Sequence, residues 1–204
     1  MGTPREVGYP QSILRARTNL QLTLTTRQRE ILVGSILGDG YIHPQGKFQL
    51  EQGDAQEEYL FWKYYELKEL AYPARPVMVE RYDPRTEKTY RSYRFWLRQY
   101  FRPWREVFYE GKMKIFPEGL ILSPLSIAVW YMDDGCLSDG VCTISIESFS
   151  EVSIERIRRQ LLNQFQLETL LRSNGKLLIC AQMHERFFLL IKPFMHPSMF
   201  YKIS

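Results

Sequence analysis

Two aspartates stand out by their setting. Asp39 in LVGSILGDG (32–40) and Asp134 in IAVWYMDDG (127–135) each close an apolar stretch and precede a glycine. One Asp-Gly after a helix is ordinary turn chemistry. Two at matching places in one chain call for a shared purpose. Carboxylates held side by side repel unless a cation neutralises them. Oxygen-only ligands favour a hard cation, Mg2+ first. Such a cation lowers the pKa of an attacking water and steadies the attacking and leaving oxygens of a phosphodiester. Phosphodiester hydrolysis is therefore the chemistry these residues suit.

The elements that must position them repeat. Thr25 with Gln28 predicts a capping box at the start of the first apolar helix. Ser123 as N-cap with Pro124 at the first helical position predicts the second, and Gly40 and Gly135 stop them. Gly34 and Gly38, four apart, give the first helix a smooth face for close approach, and Ala128 serves its partner. Alternating strands follow at 47–52 and 141–148, then amphipathic helices at 54–70 and 150–165. Hairpins are predicted around Asp83-Pro84 and at Asn174-Gly175. Helices at 98–109 and 184–194 follow, and each half closes on a basic segment, KMKIFP or SMFYKIS. The order in both halves is helix, strand, helix, strand, strand, helix, tail. This predicts a duplicated α+β chain, with an N-terminal extension at 1–23 and repeats at 24–118 and 119–204.

Composition narrows the classes. Of 204 residues, 45% are apolar and 25% charged, ordinary for a folded chain with a core. The excess of 27 Lys and Arg over 23 acids is small, so its distribution matters more than its size. No apolar run reaches the ~18 residues of a membrane span. The first residues lack a signal-peptide core, and Glu6 breaks a myristoylation pattern. An intracellular setting is expected, either a bacterial cytoplasm or an organelle (chloroplast or mitochondrion). Cys136, Cys142 and Cys180 match no zinc spacing and are expected as free thiols.

The two apolar segments fit the LAGLIDADG motif, and the chain resembles a single-chain, two-motif LAGLIDADG homing endonuclease. It is most similar to the mitochondrial omega-intron subgroup, over residues 24–204. The resemblance implies two pseudo-symmetric αβαββα repeats packed through the motif helices, with saddle-shaped antiparallel sheets facing DNA. It implies a monomer, intron-encoded, that cuts both strands of a long non-palindromic duplex with Mg2+. Mn2+ is expected to substitute, and Ca2+ to bind without supporting cleavage. Asp39 and Asp134 would hold the metal, with Gly38 and Asp133 contributing backbone carbonyls. Lys114 and Lys202 match the family's basic residues near the scissile phosphates, with Lys112 the rival to Lys114. Gln49 matches a position near a metal-bound water, with Ser145 in the symmetric slot. Host intron RNA is an alternative partner, as for maturases, and a non-cleaving DNA-binding protein is a further alternative. Retention of both acids and both lysines favours the nuclease.

Residues 81–105 hold eight basic residues, two acids and eight aromatics, a pattern suited to a sheet lying on a duplex. Arg81, Arg85, Arg91 and Arg94 are candidate DNA contacts, with Glu51 on the neighbouring strand. Ser145, Glu147, Arg172 and Lys176 are their counterparts in the second half. Alternation sends Arg91 and Arg94 to opposite faces, so only one of them meets DNA.

Overall fold

The computed structural model describes residues 23–98 and 101–204. Residues 1–22 of the expected extension, and positions 99 and 100 of an expected helix, lie outside the described residues.

Helix α1 (Thr26–Leu37) opens on the expected capping box. The Thr25 hydroxyl accepts from the Gln28 N–H at 3.1 Å, and the Gln28 side chain accepts from the Thr25 N–H at 3.1 Å. Helix α4 (Pro124–Asp134) opens likewise, on Ser123 with Ser126, and has Pro124 where the missing N–H costs nothing. Both helices are buried on nearly every side, as helices at the centre of a core are. They pack against each other along their length. A Cβ placed on Gly34 would lie 2.4 Å from the Ser126 carbonyl oxygen and 2.7 Å from the Val129 Cβ. One on Gly38 would lie 2.5 Å from the Cβ of Asp133. Glycine at these two places is what lets the backbones meet.

Each motif helix runs into an antiparallel four-stranded sheet. The first has the order β1 (Tyr41–Ile42), β2 (Phe48–Gly53), β4 (Lys88–Trp96), β3 (Val77–Asp83). The second has β7 (Gly135–Ser138), β8 (Val141–Ser145), β10 (Lys176–Ile179), β9 (Thr169–Leu171). The strands just after the two motifs, β1 and β7, are additions to the expected order; two to four residues are too few to show a period. Helices α2 (Glu57–Glu66) and α5 (Glu151–Phe165) cover the inner faces, flanked in the first half by short 3-10 turns at Asp54–Gln56 and Lys68–Leu70. Leu162, an apolar residue of the amphipathic helix expected at 150–165, is 48% exposed. Helix α3 (Arg102–Phe108), the small hairpin β5 (Tyr109–Glu110) and β6 (Met113–Lys114), and helix α6 (His184–Ile191) complete the described chain, which ends on 3-10 turns that include Pro197–Lys202. One continuous apolar cluster runs through both halves. Cys136, Cys142 and Cys180 are free thiols. Among the described residues, no helix is long and apolar enough to cross a membrane.

Register fixes which residues of the two halves correspond. Tyr41, one residue after Gly40, pairs with Gln49; Cys136, one after Gly135, pairs with Thr143. Gln49 therefore matches Thr143, Glu51 matches Ser145, and Gln52 matches Ile146. This corrects the expected pairing of Gln49 with Ser145.

Gly34→Ala should destabilise the protein by roughly 1–3 kcal/mol, because its methyl group meets backbone rather than a movable side-chain tip. Gly53→Ala, with open space around it, should change stability by under about 0.5 kcal/mol. Denaturant unfolding of both variants measures this, and equal midpoints would contradict the tight crossing.

Candidate active site

The motif helices deliver Asp39 and Asp134 to the same end of their interface. Asp134 is the last residue of α4, and Asp39 follows the end of α1 by two residues. Burial pushes the Asp134 carboxyl up to about 7, reinforced by the charges of Asp39 and Asp133 and opposed by Lys114 and Lys202. A carboxylate held so far above its ordinary range is one that wants a cation.

Each lysine caps one motif helix. Lys114 Nζ donates to the carbonyl of Gly38, and Lys202 Nζ donates to those of Met132 at 2.6 Å and Asp133 at 3.0 Å. A cation at a helix C-terminus meets carbonyls with no partner in the helix and the negative end of the dipole. Burial lowers the pKa of both ammonium groups, while the surrounding aspartates raise it. Lys112, the rival position, is exposed.

Asp133 does something its position in the motif does not announce. Its carboxylate is fully buried and forms an ion pair with Lys63 Nζ at 2.6 and 2.8 Å, with both side chains almost entirely out of solvent. It also accepts from the Tyr59 hydroxyl at 2.9 Å, the Gln52 amide at 3.1 Å and the Asp39 N–H at 3.2 Å. Burial pushes the Asp133 carboxyl up, and Lys63 and Tyr59 hold it down. Gln52 Nε2 also donates to Asp39 Oδ2 at 2.9 Å. The amide that bonds the carboxylates is that of Gln52. Gln49 lies on the other face of β2 and donates to Glu51 at 2.7 Å.

Sequence analysis missed Gln52, Tyr59 and Lys63, though a trace of them is there. Gln52 continues the core-facing phase of Phe48 and Leu50. Lys63 lies on the buried stripe of α2 with Tyr59, Leu60 and Tyr64. A polar group in a core-facing phase requires a partner, but the partner lies in the other half of the chain.

The donor set fits a hard divalent cation. Asp39 and Asp134 offer carboxylates, and the Gly38 and Asp133 carbonyls already attract ammonium groups at the helix ends. Lys63, Tyr59 and Gln52 engage the Asp133 carboxylate, which leaves two carboxylates for a cation; Mg2+ keeps several waters and takes one or two.

The first sheet presents Gln49, Glu51, Arg94, Ser92 and Arg81 on the face away from the core. Glu51 organises it. Its oxygens lie 2.7 Å from Arg81 and 3.8 Å from Arg94, and accept from Ser92 Oγ at 2.6 Å. Partial burial tends to raise the Glu51 carboxyl, but Ser92 and Arg81 outweigh it and the net shift is downward. Arg91 pairs with Glu80 at 2.8 Å on the side of Tyr93 and Phe95, which removes it from the Arg94 face. Arg85, at the hairpin tip, bonds Asp83. In the second sheet Lys176 sits opposite Ser145, as Arg94 sits opposite Glu51. Arg172 lies at the exposed β9–β10 turn, where its carbonyl and N–H close the loop around Gly175, and Glu147 flanks that glycine.

A model of the LAGLIDADG DNA endonuclease family matches residues 29–187, most of the chain and both motif helices. The chain belongs to this family. Among curated proteins, it is 28% identical over 210 residues to protein RecA of Mycobacterium shimoidei, covering 88% of this chain and 47% of that protein. The chain therefore spans about half the length of the RecA proteins it matches. It is also 26% identical to the DNA endonuclease I-ChuI of Chlamydomonas applanata, over 90% of this chain and 97% of that one. Among solved structures, the homing endonuclease I-WcaI bound to its DNA recognition sequence superposes with a TM-score of 0.83 at 23% identity, covering 98% of this chain and 96% of that chain. The last likeness shows that the LAGLIDADG fold is shared.

The raised carboxyl of Asp134 has a consequence for stability. The folded state holds this proton more tightly than the unfolded chain, so the contribution is full below the ordinary carboxylate pKa of 3.8 and is lost as pH rises through about 7. In a chelator, thermal stability should therefore fall between those values. Asp134→Asn should flatten the fall, and saturating divalent cation should offset it. Unfolding scans across this range check it; a wild-type profile parallel to that of Asp134→Asn would remove Asp134 as the cause.

Proposed function

We propose that this chain is a site-specific DNA endonuclease that hydrolyses one phosphodiester in each strand of a long, non-palindromic duplex, with Mg2+ as its cation. The observation that carries this reading is the pair of carboxylates at one end of two packed helices, each helix capped by a lysine from its own half, Lys202 buried and Lys114 half-buried. The family and the DNA-bound relative I-WcaI support it.

Asp39 and Asp134 would hold the cation, which supplies a water of lowered pKa and charge for the departing oxygen. Lys114 and Lys202 would give up a carbonyl contact to meet the charge that develops on each scissile phosphate. Arg81, Arg94, Lys176 and Arg172 would contact phosphates and base edges along the two sheets. Because Glu51 and Arg94 in one half are Ser145 and Lys176 in the other, the two half-sites read different sequences. That difference supports a non-palindromic target.

Asp39→Asn and Asp134→Asn should each lower the cleavage rate by roughly 10²-fold or more, while gel-shift affinity at fixed salt stays within a few-fold, because spread phosphate contacts carry binding. Full cleavage by either variant would remove that acid from the mechanism. Lys114→Met and Lys202→Met should each slow one strand more than the other, so that nicked duplex accumulates. Strand-resolved kinetics with enzyme in excess decide it, and equal slowing of both strands would sink one lysine per phosphate. Arg94→Ala should cost about 1–3 kcal/mol in binding or relax one target position, and Arg91→Ala should leave binding unchanged. Equal losses would contradict the faces assigned to β4.

A further inference from the structure

The buried Lys63–Asp133 pair has no use in the cleavage scheme above, and stability alone does not account for it. A buried ion pair can usually be replaced by apolar side chains at no net loss. The second half of this chain has no such pair. Helix α2 follows its N-cap Gln56 as α5 follows Ser150, so Lys63 matches Ile157 and Tyr59 matches Ser153. Ile157 is fully buried in the apolar core, and so is Ile146, the counterpart of Gln52. Only one half carries the polar network.

Its place in the fold suggests its purpose. Asp133 adjoins Asp134 in the chain. Its match on α1 is Gly38, which has no side chain and leaves the crossing to Asp133 alone. Gln52 Nε2 donates to Asp39 Oδ2 and Asp133 Oδ1 at once. Oxygens of both carboxylates thus lie within hydrogen-bond reach of a single nitrogen, where a cation would feel both. Yet Asp133 is saturated. Oδ1 accepts from Lys63, Tyr59 and Gln52, and Oδ2 from Lys63 and the Asp39 N–H. A carboxylate has about four lone-pair sites, so none is left for a metal.

We infer that Lys63 is a positioning residue for the cation site: by occupying Asp133, it keeps a third carboxylate from joining Asp39 and Asp134 and drawing the cation out of place. Asp133, so held, is free to steady the Asp39 backbone and, through Gln52, its side chain. The inference rests on the nuclease reading for the site, but its key readout needs no DNA.

The test compares wild type, Lys63→Met and Lys63→Met/Asp133→Asn for Mn2+ affinity of the protein alone, unfolding midpoint, and cleavage of target duplex. Lys63→Met frees Asp133 to bind metal. Mn2+ affinity should therefore rise while cleavage falls, each by roughly 10–100-fold, the range for changes around a metal's immediate ligands. The double variant removes the surplus charge and should return Mn2+ affinity towards wild type. A merely structural lysine predicts otherwise: Mn2+ affinity unchanged or weaker in Lys63→Met, and cleavage falling only in step with the unfolding midpoint. That result overturns the inference. If Lys63→Met does not fold, Lys63→Gln, which removes the charge but keeps a donor for Asp133, takes its place: raised Mn2+ affinity supports the inference, and unchanged or weaker affinity in a folded variant overturns it. Wild-type protein that binds Mn2+ but cuts no duplex would instead count against the nuclease reading, leaving the affinity comparison intact.

Discussion

Everything at the site depends on how closely α1 and α4 approach. Glycine at 34 and 38 brings the backbone of one helix against Ser126, Val129 and Asp133 of the other. That spacing sets the separation of the two helix ends, and hence of Asp39 and Asp134. It also explains why α1 from Ile31 on and nearly all of α4 are buried on every side: they are the centre of a core shared by two halves. A wider crossing would leave two separate carboxylates in two separate turns, with no reason to share a cation.

Close approach concentrates charge, and the structure answers with cations from three different elements. Lys114 arrives on β6, Lys202 on the last 3-10 turn, and Lys63 on α2. Lys114 and Lys202 lie against helix-end carbonyls, where the dipole already favours positive charge. Lys63 goes to a side chain, where burial leaves a carboxylate no alternative to a partner. The two kinds of placement separate the tasks. A lysine on a carbonyl can leave it for a phosphate, whereas a lysine locked in a buried ion pair cannot.

The halves share a fold but are not equal. Backbone register makes Gln49 match Thr143 and Gln52 match Ile146. One side of the centre is a polar network; the corresponding side is packed with isoleucine. The outer faces differ as well, with Glu51 bridging two arginines in the first sheet and Ser145 facing Lys176 in the second. Under the proposed reading, a duplicated frame carrying different side chains would treat the two DNA strands and half-sites differently.

The sequence by itself determined the repeat, the capping box at Thr25 and the N-cap at Ser123, the glycine face of α1, the long strands and hairpins, and the two acids with their two lysines. Each is a local pattern, written in residues within a few positions of one another. The opposite orientations of Arg91 and Arg94 were legible for the same reason, because alternation along a strand is local. Only the tertiary structure decided which of the two faces away from the core, since that depends on where Phe95 is buried. Only it put Gln52 beside the carboxylates and Gln49 on the outer face, since one residue of phase selects the side of a sheet and the choice follows from the helices packed there. The short strands β1 and β7 exist because β2 and β8 offer free edges, not because two to four residues prefer to be extended. The Lys63–Asp133 pair lay furthest from sequence reading. Its partners are 70 residues apart, and each alone looks like a polar residue on an apolar face. What makes them a pair is the packing of one half against the other, which strands a carboxylate in the core and requires an ammonium beside it.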